Sequence, residues 1–441
     1  MNNFTTAFLN LKDCDIETLD SYLIDNTFHY DVSLVRKHYD CPYCGGNTIL
    51  HGSKIINIHH PIITDFDGFI HFKAKRFICK DCSKTFFENN PFTFEGFKNS
   101  YAVINRVMTH LKTLDLNFTR IAELNNVSVT TVLTYLDSYV AIPRPFLPES
   151  LGIDELHSGM ATGDSAYLCV LVNNVKRYPI EILNSRSKRT LNNYFEAYSK
   201  TERDKVKFVT IDMWQPYKDV CLRQFKNARI AVDPFHVVKH VCDIFNSIRI
   251  NIMKKMPYNS DGYYLLKKWN WLLEVTDIDL DNEPKYNAHF RRQLNLRQLQ
   301  NMLLEISEKL TDAWMLKCHY QLFNEHATPE NCEELFNNIL ARFRSTYISE
   351  FHPFTQTLIN WHQEILNSFL RPFDDRKLSN ALAENVNSKL RTYLSVANGI
   401  SNFTRFRKRV LLALNPNIYS AISDTLKSDK VSRTKRNNDV Y

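Results

Sequence analysis

The sequence lacks any apolar run of the roughly 18 residues that a membrane-spanning helix needs, although 44% of its residues are hydrophobic. Its start, Met1-Asn-Asn-Phe-Thr, lacks the basic segment and apolar core of an export signal. No internal repeat is evident. We therefore expect a soluble, cytoplasmic protein with no membrane partner, and 441 residues are enough for several domains with their own cores.

The ten cysteines do not suggest a disulfide framework, because four of them form CxxC pairs. Cys41 and Cys44 form the first pair, and Cys79 and Cys82 form the second, which begins 35 positions after Cys44. Each pair can direct two thiolates at one ion, so together they predict a tetrahedral zinc site. The alternative is four unrelated buried cysteines. The long segment between the pairs is expected to contain strands.

Acidic residues are scarce near the C-terminus. From Asn385 to Arg436 there are eleven Lys and Arg residues against two acids, Asp424 and Asp429, in a chain of net charge +7. Such a segment binds a polyanion or forms a solvated face. Together with zinc at the front of a large basic chain, it favours nucleic acid as the partner.

A helix-turn-helix is predicted after the cysteine-rich segment. Phe118–Leu124 and Ser128–Leu136 carry apolar residues at the spacing of such a core, and Ser128 is expected to cap the second helix. An ordinary helical hairpin fits the same pattern. The candidate DNA contacts, which are otherwise only exposed helix residues, are Ser128, Thr130, Thr131 and Thr134.

Beyond prolines at 143, 145 and 148, strands and helices alternate. Strands are predicted at Leu151–Leu156, Ala166–Val172, Ile180–Leu183, Val206–Ile211 and Ala228–Val232. Helices are predicted near Leu191–Ser199, Pro216–Phe225 and Phe235–Met253. Three strands followed by helix, strand, helix, strand and helix is the order of a ribonuclease-H-like core. Only helix is predicted from Pro257 to about Lys377, and another helix begins near Ser379.

Three carboxylates are candidate ligands for a catalytic cation. Asp154 and Asp212 both follow buried β runs, where strand ends open into a crevice. An aspartate there is costly to bury unpaired, so it is solvated, paired or bound to a cation. Mg²⁺ takes a few carboxylates plus phosphate oxygens, and two such ions can clamp a phosphoryl transfer. Glu384, on a helix face shared with Asn387, is the best third ligand.

Other assignments remain open. Each acid alone also fits a capping or surface role. Asp233 is a rival ligand, since it too ends a predicted strand, while His236 fits a structural role better than a catalytic one. Glu155 is expected to point away from Asp154 as a structural acid.

Taken in order, these segments resemble the DDE transposases of bacterial insertion sequences, specifically the group called ISL-three. The resemblance extends from about Cys41 to Leu412. It rests on Cys41-Pro-Tyr-Cys44-Gly, Lys75–Cys79 with Phe86-Phe-Glu88, Gly152-Ile-Asp-Glu155, Asp212–Tyr217, Asp233–Lys239, Ser379–Glu384 with Asn387 and Lys389, and Gly399–Phe403 with Arg407. The family combines a four-cysteine zinc finger, a helix-turn-helix and a catalytic DDE domain.

The resemblance implies that Asp154, Asp212 and Glu384 form a triad binding Mg²⁺ or Mn²⁺, with a helical insertion in the 172 positions between the last two. It implies binding to terminal inverted repeats in double-stranded DNA, cleavage of the element's ends and joining to a target, by a dimer or larger complex near the bacterial nucleoid. A regulator without cleavage activity and a purely hydrolytic nuclease are the alternatives. Candidate phosphate contacts are Arg405, Arg407, Lys408 and Arg409.

We thus expect a multidomain α/β protein. The predicted order is a helical or irregular lead-in (1–35), a β-rich zinc ribbon module (36–95), a helix-turn-helix domain (96–142), a ribonuclease-H-like core (143–256 and 378–415) interrupted by an all-helical insertion (257–377), and a basic tail (416–441).

Overall fold

The structure is a computed structural model that describes residue 9 and residues 15–61, 67–94, 96–162, 166–275, 278–373, 376–397 and 400–418. The chain forms two compact units: Met1–Pro143 with Leu390–Tyr441, and Arg144–Lys389. The protein is mixed α/β, with a β-rich N-terminal part and a helical C-terminal part. Within the described ranges, no helix is both long and apolar enough to cross a membrane.

The strands are β1 (Ile16–Ile24), β2 (Thr27–Leu34), β3 (Thr48–Pro61), β4 (Asp67–Cys79), β5 (Thr85–Phe87), β6 (Ser150–His157), β7 (Tyr167–Asn173), β8 (Tyr178–Leu183), β9 (Phe208–Ile211), β10 (Arg229–Val232), β11 (Lys285–Asn287) and β12 (Arg292–Leu294). The helices are α1 (Tyr101–Leu111), α2 (Phe118–Leu124), α3 (Val129–Tyr139), α4 (Lys188–Glu196), α5 (Lys200–Arg203), α6 (Gln215–Gln224), α7 (Pro234–Lys254), α8 (Asp261–Lys268), α9 (Leu296–Leu304), α10 (Glu308–His326), α11 (Cys332–Ser345), α12 (His352–Asn360), α13 (His362–Asn367), α14 (Ala381–Val396) and α15 (Phe403–Leu414).

The first unit contains a sheet of order β1-β2-β4-β3, with β5 paired to β4. The long antiparallel pair β3–β4 confirms that the segment between the two CxxC pairs contains strands. Its inward-facing residues alternate along β4, where Ile70, Phe72 and Ala74 are fully buried. This alternation explains why the segment folds as a sheet although one face remains in water.

The expectation of a helical or irregular lead-in at 1–35 was wrong for its described residues. β1 and β2 form an antiparallel hairpin there. The two turn residues, Asp25 and Asn26, have φ angles of 47° and 59°, which matches the right-handed twist of a two-residue hairpin. Tyr30 and Val32 on β2 face the core. An Asp-Asn turn between two β-type runs was therefore the signal that the prediction missed.

Four helices pack together in the same unit. Ile121 of α2, Val132 and Leu136 of α3, and Leu411 of α15 share one buried cluster with α1. The predicted helices at Phe118–Leu124 and Ser128–Leu136 are confirmed. The Ser128 hydroxyl accepts a hydrogen bond from the Thr131 N–H at 3.1 Å, which confirms the predicted cap.

The second unit is built on a five-stranded sheet of order β10-β9-β6-β7-β8. Strands β6, β7 and β8 are antiparallel neighbours, whereas β6, β9 and β10 run parallel. All five strands predicted for this region are confirmed, with small shifts at their ends, as are the helices α4, α6 and α7. The carboxyl ends of three parallel strands therefore meet at one edge of the sheet.

The region predicted to be all helix, Pro257 to about Lys377, is interrupted by the short antiparallel pair β11–β12. The apolar stripe from Leu358 to Phe369 is buried as expected, but the helix breaks at Trp361 between α12 and α13. The predicted core segment 378–415 is divided between the two units after Lys389, because α15 packs on α1 and α3.

Candidate active site and zinc site

Four cysteine sulfurs converge at the end of the β3–β4 pair. The Sγ atoms of Cys41 and Cys82 are 3.6 Å apart, and those of Cys44 and Cys79 are 3.5 Å apart. Thiolates bound tetrahedrally to zinc at about 2.3 Å lie about 3.8 Å from one another. The cluster therefore fits a structural Zn²⁺ ion held by all four predicted ligands.

The backbone around the cysteines favours the thiolate form of Cys79 and determines where the sulfurs of the first pair lie. The N–H groups of Cys82 and Asp81 point at the Cys79 sulfur and lower the pKa of that thiol to about 7. Gly45, directly after Cys44, has a φ of 73° and donates its N–H to the Cys41 carbonyl at 2.8 Å. This left-handed turn suits glycine, and it brings the sulfurs of the first pair to the same side.

Two aspartates lie side by side at the carboxyl edge of the second sheet. Gly152 of β6 is paired in register with Thr210 of β9, so Asp154 and Asp212 occupy matching positions two residues further along. Asp154 is only 6% exposed. Its Oδ1 accepts the N–H of Glu155 at 2.8 Å. Asp212 directly follows β9, as predicted, whereas Asp154 lies within β6 and not at its end.

Burial raises the pKa of Asp154 to about 7 and that of Asp212 to about 6. Repulsion by neighbouring carboxylates adds to this effect. Asp212 raises the pKa of Asp154, and Glu155 and Asp233 raise that of Asp212. Neighbouring buried carboxylates resist ionising together unless a cation neutralises them. Their oxygen donors fit a divalent metal ion such as Mg²⁺ or Mn²⁺.

Asn380 fastens the segment before α14 to this edge. Its Nδ2 donates to the Ile153 carbonyl at 2.9 Å, and its Oδ1 accepts from the Thr210 hydroxyl at 2.6 Å. Asn380 is fully buried. No role was predicted for Asn380 from the sequence.

Asn387 makes a second attachment one turn beyond Glu384. It donates to Asp154 Oδ2 at 2.8 Å and to the Glu155 carbonyl at 3.0 Å, and it is fully buried. Because α14 is held to β6 on both sides of Glu384, that carboxylate lies at the same sheet edge as the two aspartates. The sequence had placed Asn387 on the same helix face as Glu384.

Glu384 lies closest to a second group of possible ligands. Its Oε1 is 3.8 Å from His236 Nε2, which in turn is 3.9 Å from Asp233 Oδ2. Among the described residues, these three side chains offer ligand atoms within 4.8 Å of one another. His236 also lowers the pKa of Asp154. The two groups therefore belong to one network of charges.

Arg186, for which no role was predicted, borders this network. Its guanidinium lies 4.1 Å from the Tyr167 ring centre and 4.3 Å from that of Trp214, and it forms an ion pair with Glu155. Its charge lowers the pKa of Asp212. Glu155, predicted to be a structural acid, is thus one half of this partly buried pair. Arg186 is remote in the sequence from Glu155 and Asp212, so no sequence pattern indicated that it would lie beside them.

The candidate DNA contacts on α3 differ in exposure. Ser128, Thr130 and Thr134 are exposed, while Thr131 is half-buried. The Thr134 hydroxyl donates to the Thr130 carbonyl at 2.8 Å. These side chains line the first two turns of the helix on its outer side.

The prediction that Arg409 contacts phosphates is contradicted by its burial. Its side chain is fully buried, lies against the rings of Phe118 and Tyr393, and donates to carbonyl groups before α2. Arg405, Arg407 and Lys408 remain partly exposed. Arg405 and Lys408 bind the side chain and the backbone carbonyl of Asp137, respectively. The basic tail beyond Ile418 lies outside the described residues.

Comparisons with known proteins give consistent matches. Residues 151–410 match a family described as transposase, and residues 39–82 match the zinc-finger of transposase IS204/IS1001/IS1096/IS1165. The transposase for insertion sequence element IS1001 from Bordetella parapertussis is 22% identical over 272 residues. That match covers 61% of the chain and 62% of the relative, which is less than two thirds of the relative's length. The first family match covers more than half of the chain.

Proposed function

Because the chain belongs to the ISL3 group of insertion-sequence DDE transposases, we propose that it binds the terminal inverted repeats of its own insertion sequence. It then cleaves the DNA at the element's ends and joins the freed 3′ ends to target DNA. Both steps are phosphoryl transfers, in which the protein positions the groups and neutralises charge.

The observation that supports this proposal is the attachment of α14, the helix of Glu384, to β6 beside Asp154 through Asn380 and Asn387. Asp154 and Asp212 come from neighbouring parallel strands, and Glu384 arrives from α14, 172 positions after Asp212. The strand order, with three antiparallel strands beside two further parallel ones, supports a ribonuclease-H-like core. A catalytic triad of Asp154, Asp212 and Glu384 is the arrangement we propose on that core.

The chain's own residues would hold the reacting groups in place. Asp154, Asp212 and Glu384 would bind Mg²⁺ or Mn²⁺, which stabilises charge on the phosphoryl group and lowers the pKa of the attacking water. Asn387 fixes the orientation of the Asp154 carboxylate through its 2.8 Å hydrogen bond. Placing these ligands on strands and a clamped helix limits their motion, as catalysis by positioning requires.

DNA recognition would come from the first unit. The α2–α3 pair, with its short turn and capped second helix, supports a helix-turn-helix whose second helix enters the major groove. Its exposed side chains would contact base edges, and Arg405, Arg407 and Lys408 would approach phosphates. Neutralising phosphates in this way makes binding fall steeply with salt. Holding two element ends together favours a dimer or larger complex.

The proposal is tested by cleavage of a DNA end in the presence of Mg²⁺. Asp212→Asn should slow cleavage at least about a hundredfold while binding in a gel-shift assay stays near the wild-type level. The matched control is Asp219→Asn, which changes an acid of α6 that is paired with Lys188 of α4 and should cleave normally. Binding without metal-dependent cleavage by the wild type would instead indicate a DNA-binding regulator. Cleavage by Asp212→Asn would remove that residue from the triad.

A further inference from the structure

The possible ligand atoms of Asp233, His236 and Glu384 have the spacing expected of three ligands around one metal ion. The distances of 3.9 Å and 3.8 Å from His236 Nε2 to the two carboxylates are too long for hydrogen bonds. Ligand atoms bound to one ion at about 2.1 Å can be up to about 4.2 Å apart. Both distances fall below that limit.

Asp233 provides an independent sign that a ligand is bound there. The residue is 2% exposed, yet its Oδ2, the atom that faces His236, has no hydrogen-bond partner in the described part of the chain. The backbone N–H groups of Asn380 and Phe235 hydrogen-bond the carboxylate. A buried carboxylate oxygen without a partner is rare in folded proteins, and a cation would satisfy it.

The local fold builds this group from three directions. Asp233 directly follows β10, and Pro234 begins α7, so that His236 lies in the first helical turn. The Asn380 attachment to β6 and β9 holds the start of α14, which carries Glu384. All three ligand residues belong to the second unit. The ligands are thus fixed by secondary structure rather than by a loose loop.

We propose that Asp233, His236 and Glu384 form a binding site for a divalent transition-metal cation of the Mn²⁺ type, so that Glu384 has an aspartate and an imidazole as co-ligands. Carboxylates alone suit Mg²⁺, whereas an imidazole nitrogen favours Mn²⁺, Fe²⁺ or Zn²⁺ over Mg²⁺. The remaining coordination positions would be open to water or to a phosphate oxygen. The proposed binding of this ion is independent of the proposed function, because it does not require DNA. Only a role of the ion in strand transfer would rest on the proposed function.

The first test measures Mn²⁺ binding by electron paramagnetic resonance on zinc-loaded, full-length protein without DNA. His236→Ala and Asp233→Asn should each weaken Mn²⁺ binding by at least about tenfold, since even second-shell changes cost that much. The advantage of Mn²⁺ over Mg²⁺ in competition should also shrink in His236→Ala. The control is His240→Ala, one turn further along α7, where the ring packs on Phe354, and it should bind as the wild type does.

The second test locates the ion with Fe²⁺, ascorbate and peroxide, which cut the backbone beside bound iron. Fragments should end near residues 233–236 and near 384 in the wild type, and should disappear in His236→Ala. Unchanged circular dichroism and zinc content show that each variant is folded. Equal Mn²⁺ affinity of wild type and His236→Ala, or loss of binding in Asp154→Asn alone, would overturn the proposal. Normal Mn²⁺ binding without any DNA cleavage would count against the proposed function only.

Discussion

Buried polar side chains make up most of the candidate active site. Asp154, Asp233 and Asn387 are each at most 6% exposed, and two of the three carry carboxylates whose pKa is raised by burial. Such groups lower the stability of the folded chain unless a partner compensates them. A site of this kind therefore has measurable consequences for folding as well as for catalysis.

Stability without Mg²⁺ should decrease as the pH rises. The folded protein holds a proton on Asp154 up to about pH 7, whereas the unfolded chain loses it near pH 4. A raised pKa stabilises the fold at low pH, and this contribution is lost as the pH passes through about 7. For Asp154 the loss between pH 5 and 8 is on the order of 2 to 3 kcal/mol.

The measurement is thermal unfolding of zinc-loaded protein at several pH values without Mg²⁺. Asp154→Asn should flatten the decline, and Mg²⁺ at pH 8 should restore part of the wild-type stability. An unchanged slope in Asp154→Asn would show that this carboxyl is not the titrating group.

Cys79→Ser should remove the zinc ion and abolish recognition of the terminal repeats. Cys79 is one of four converging thiols, and a serine hydroxyl does not replace a thiolate ligand, so the local fold loses its ion. Zinc content by mass spectrometry and end binding by gel shift measure the effect. Cys318→Ser, outside the cluster, is the control. Full zinc content and normal binding in Cys79→Ser would contradict a four-thiolate site.

Secondary-structure elements position these residues at one edge of the second sheet. Strands β6 and β9 place Asp154 and Asp212 in register, and α14 brings Glu384 to the same edge through Asn380 and Asn387. Asn380 and Asn387, together called the clamp, hold α14 through side-chain hydrogen bonds to the strands. For this reason, removing one of these two side chains should change the rate of DNA cleavage more than the stability of the fold.

Asn387→Leu, which keeps the side-chain size, should reduce DNA cleavage at least about tenfold and lower the free energy of unfolding by about 1 to 3 kcal/mol. The Asp154 carboxylate would lose its fixed orientation, while DNA binding should not change. Cleavage rates and denaturant titration measure both effects. Asn385→Ala, exposed on the same helix, is the control. Normal cleavage by Asn387→Leu would show that the clamp has no role in positioning.

Arg409→Met should destabilise the first unit by about 2 to 4 kcal/mol, because buried carbonyl groups near α2 lose their charged donor. The salt dependence of DNA binding should stay the same. Arg405→Gln, a partly exposed residue, should do the reverse and flatten the salt dependence. A flatter salt dependence in Arg409→Met without loss of stability would restore Arg409 as a phosphate contact.

Strong periodic patterns made most elements predictable. The five strands of the second sheet and the two helices at 118–139 followed from apolar spacing. The β1–β2 hairpin was missed because its exposed strand β1 carries few buried residues. Arg186 and Asn380 were not assigned roles, since their partners are remote in sequence and only the fold brings them together. Asp154 and Asp212 were selected because aspartates after buried β runs are costly to bury unpaired. Glu384 was selected on a helix face shared with Asn387, and the catalytic roles of all three stay predictions.

At the scale of the whole molecule, the residues proposed for DNA recognition and those proposed for catalysis lie in separate compact units. The four-thiol cluster and α3 belong to the first unit, and the carboxylates belong to the second. The family's match spans most of the second unit and continues into the first, to residue 410. Such a division predicts variants that lose cleavage while keeping DNA binding, and others that lose binding first.

The most direct test of this account is strand transfer by purified protein. The reaction contains Mg²⁺, donor DNA with the repeats that flank the protein's own gene, and a supercoiled target, beside the Glu384→Gln variant. We predict joined product from the wild type and none from Glu384→Gln, although both bind the donor. Joined product from Glu384→Gln, or donor cleavage by the wild type without any joining, would contradict the proposed transposase mechanism.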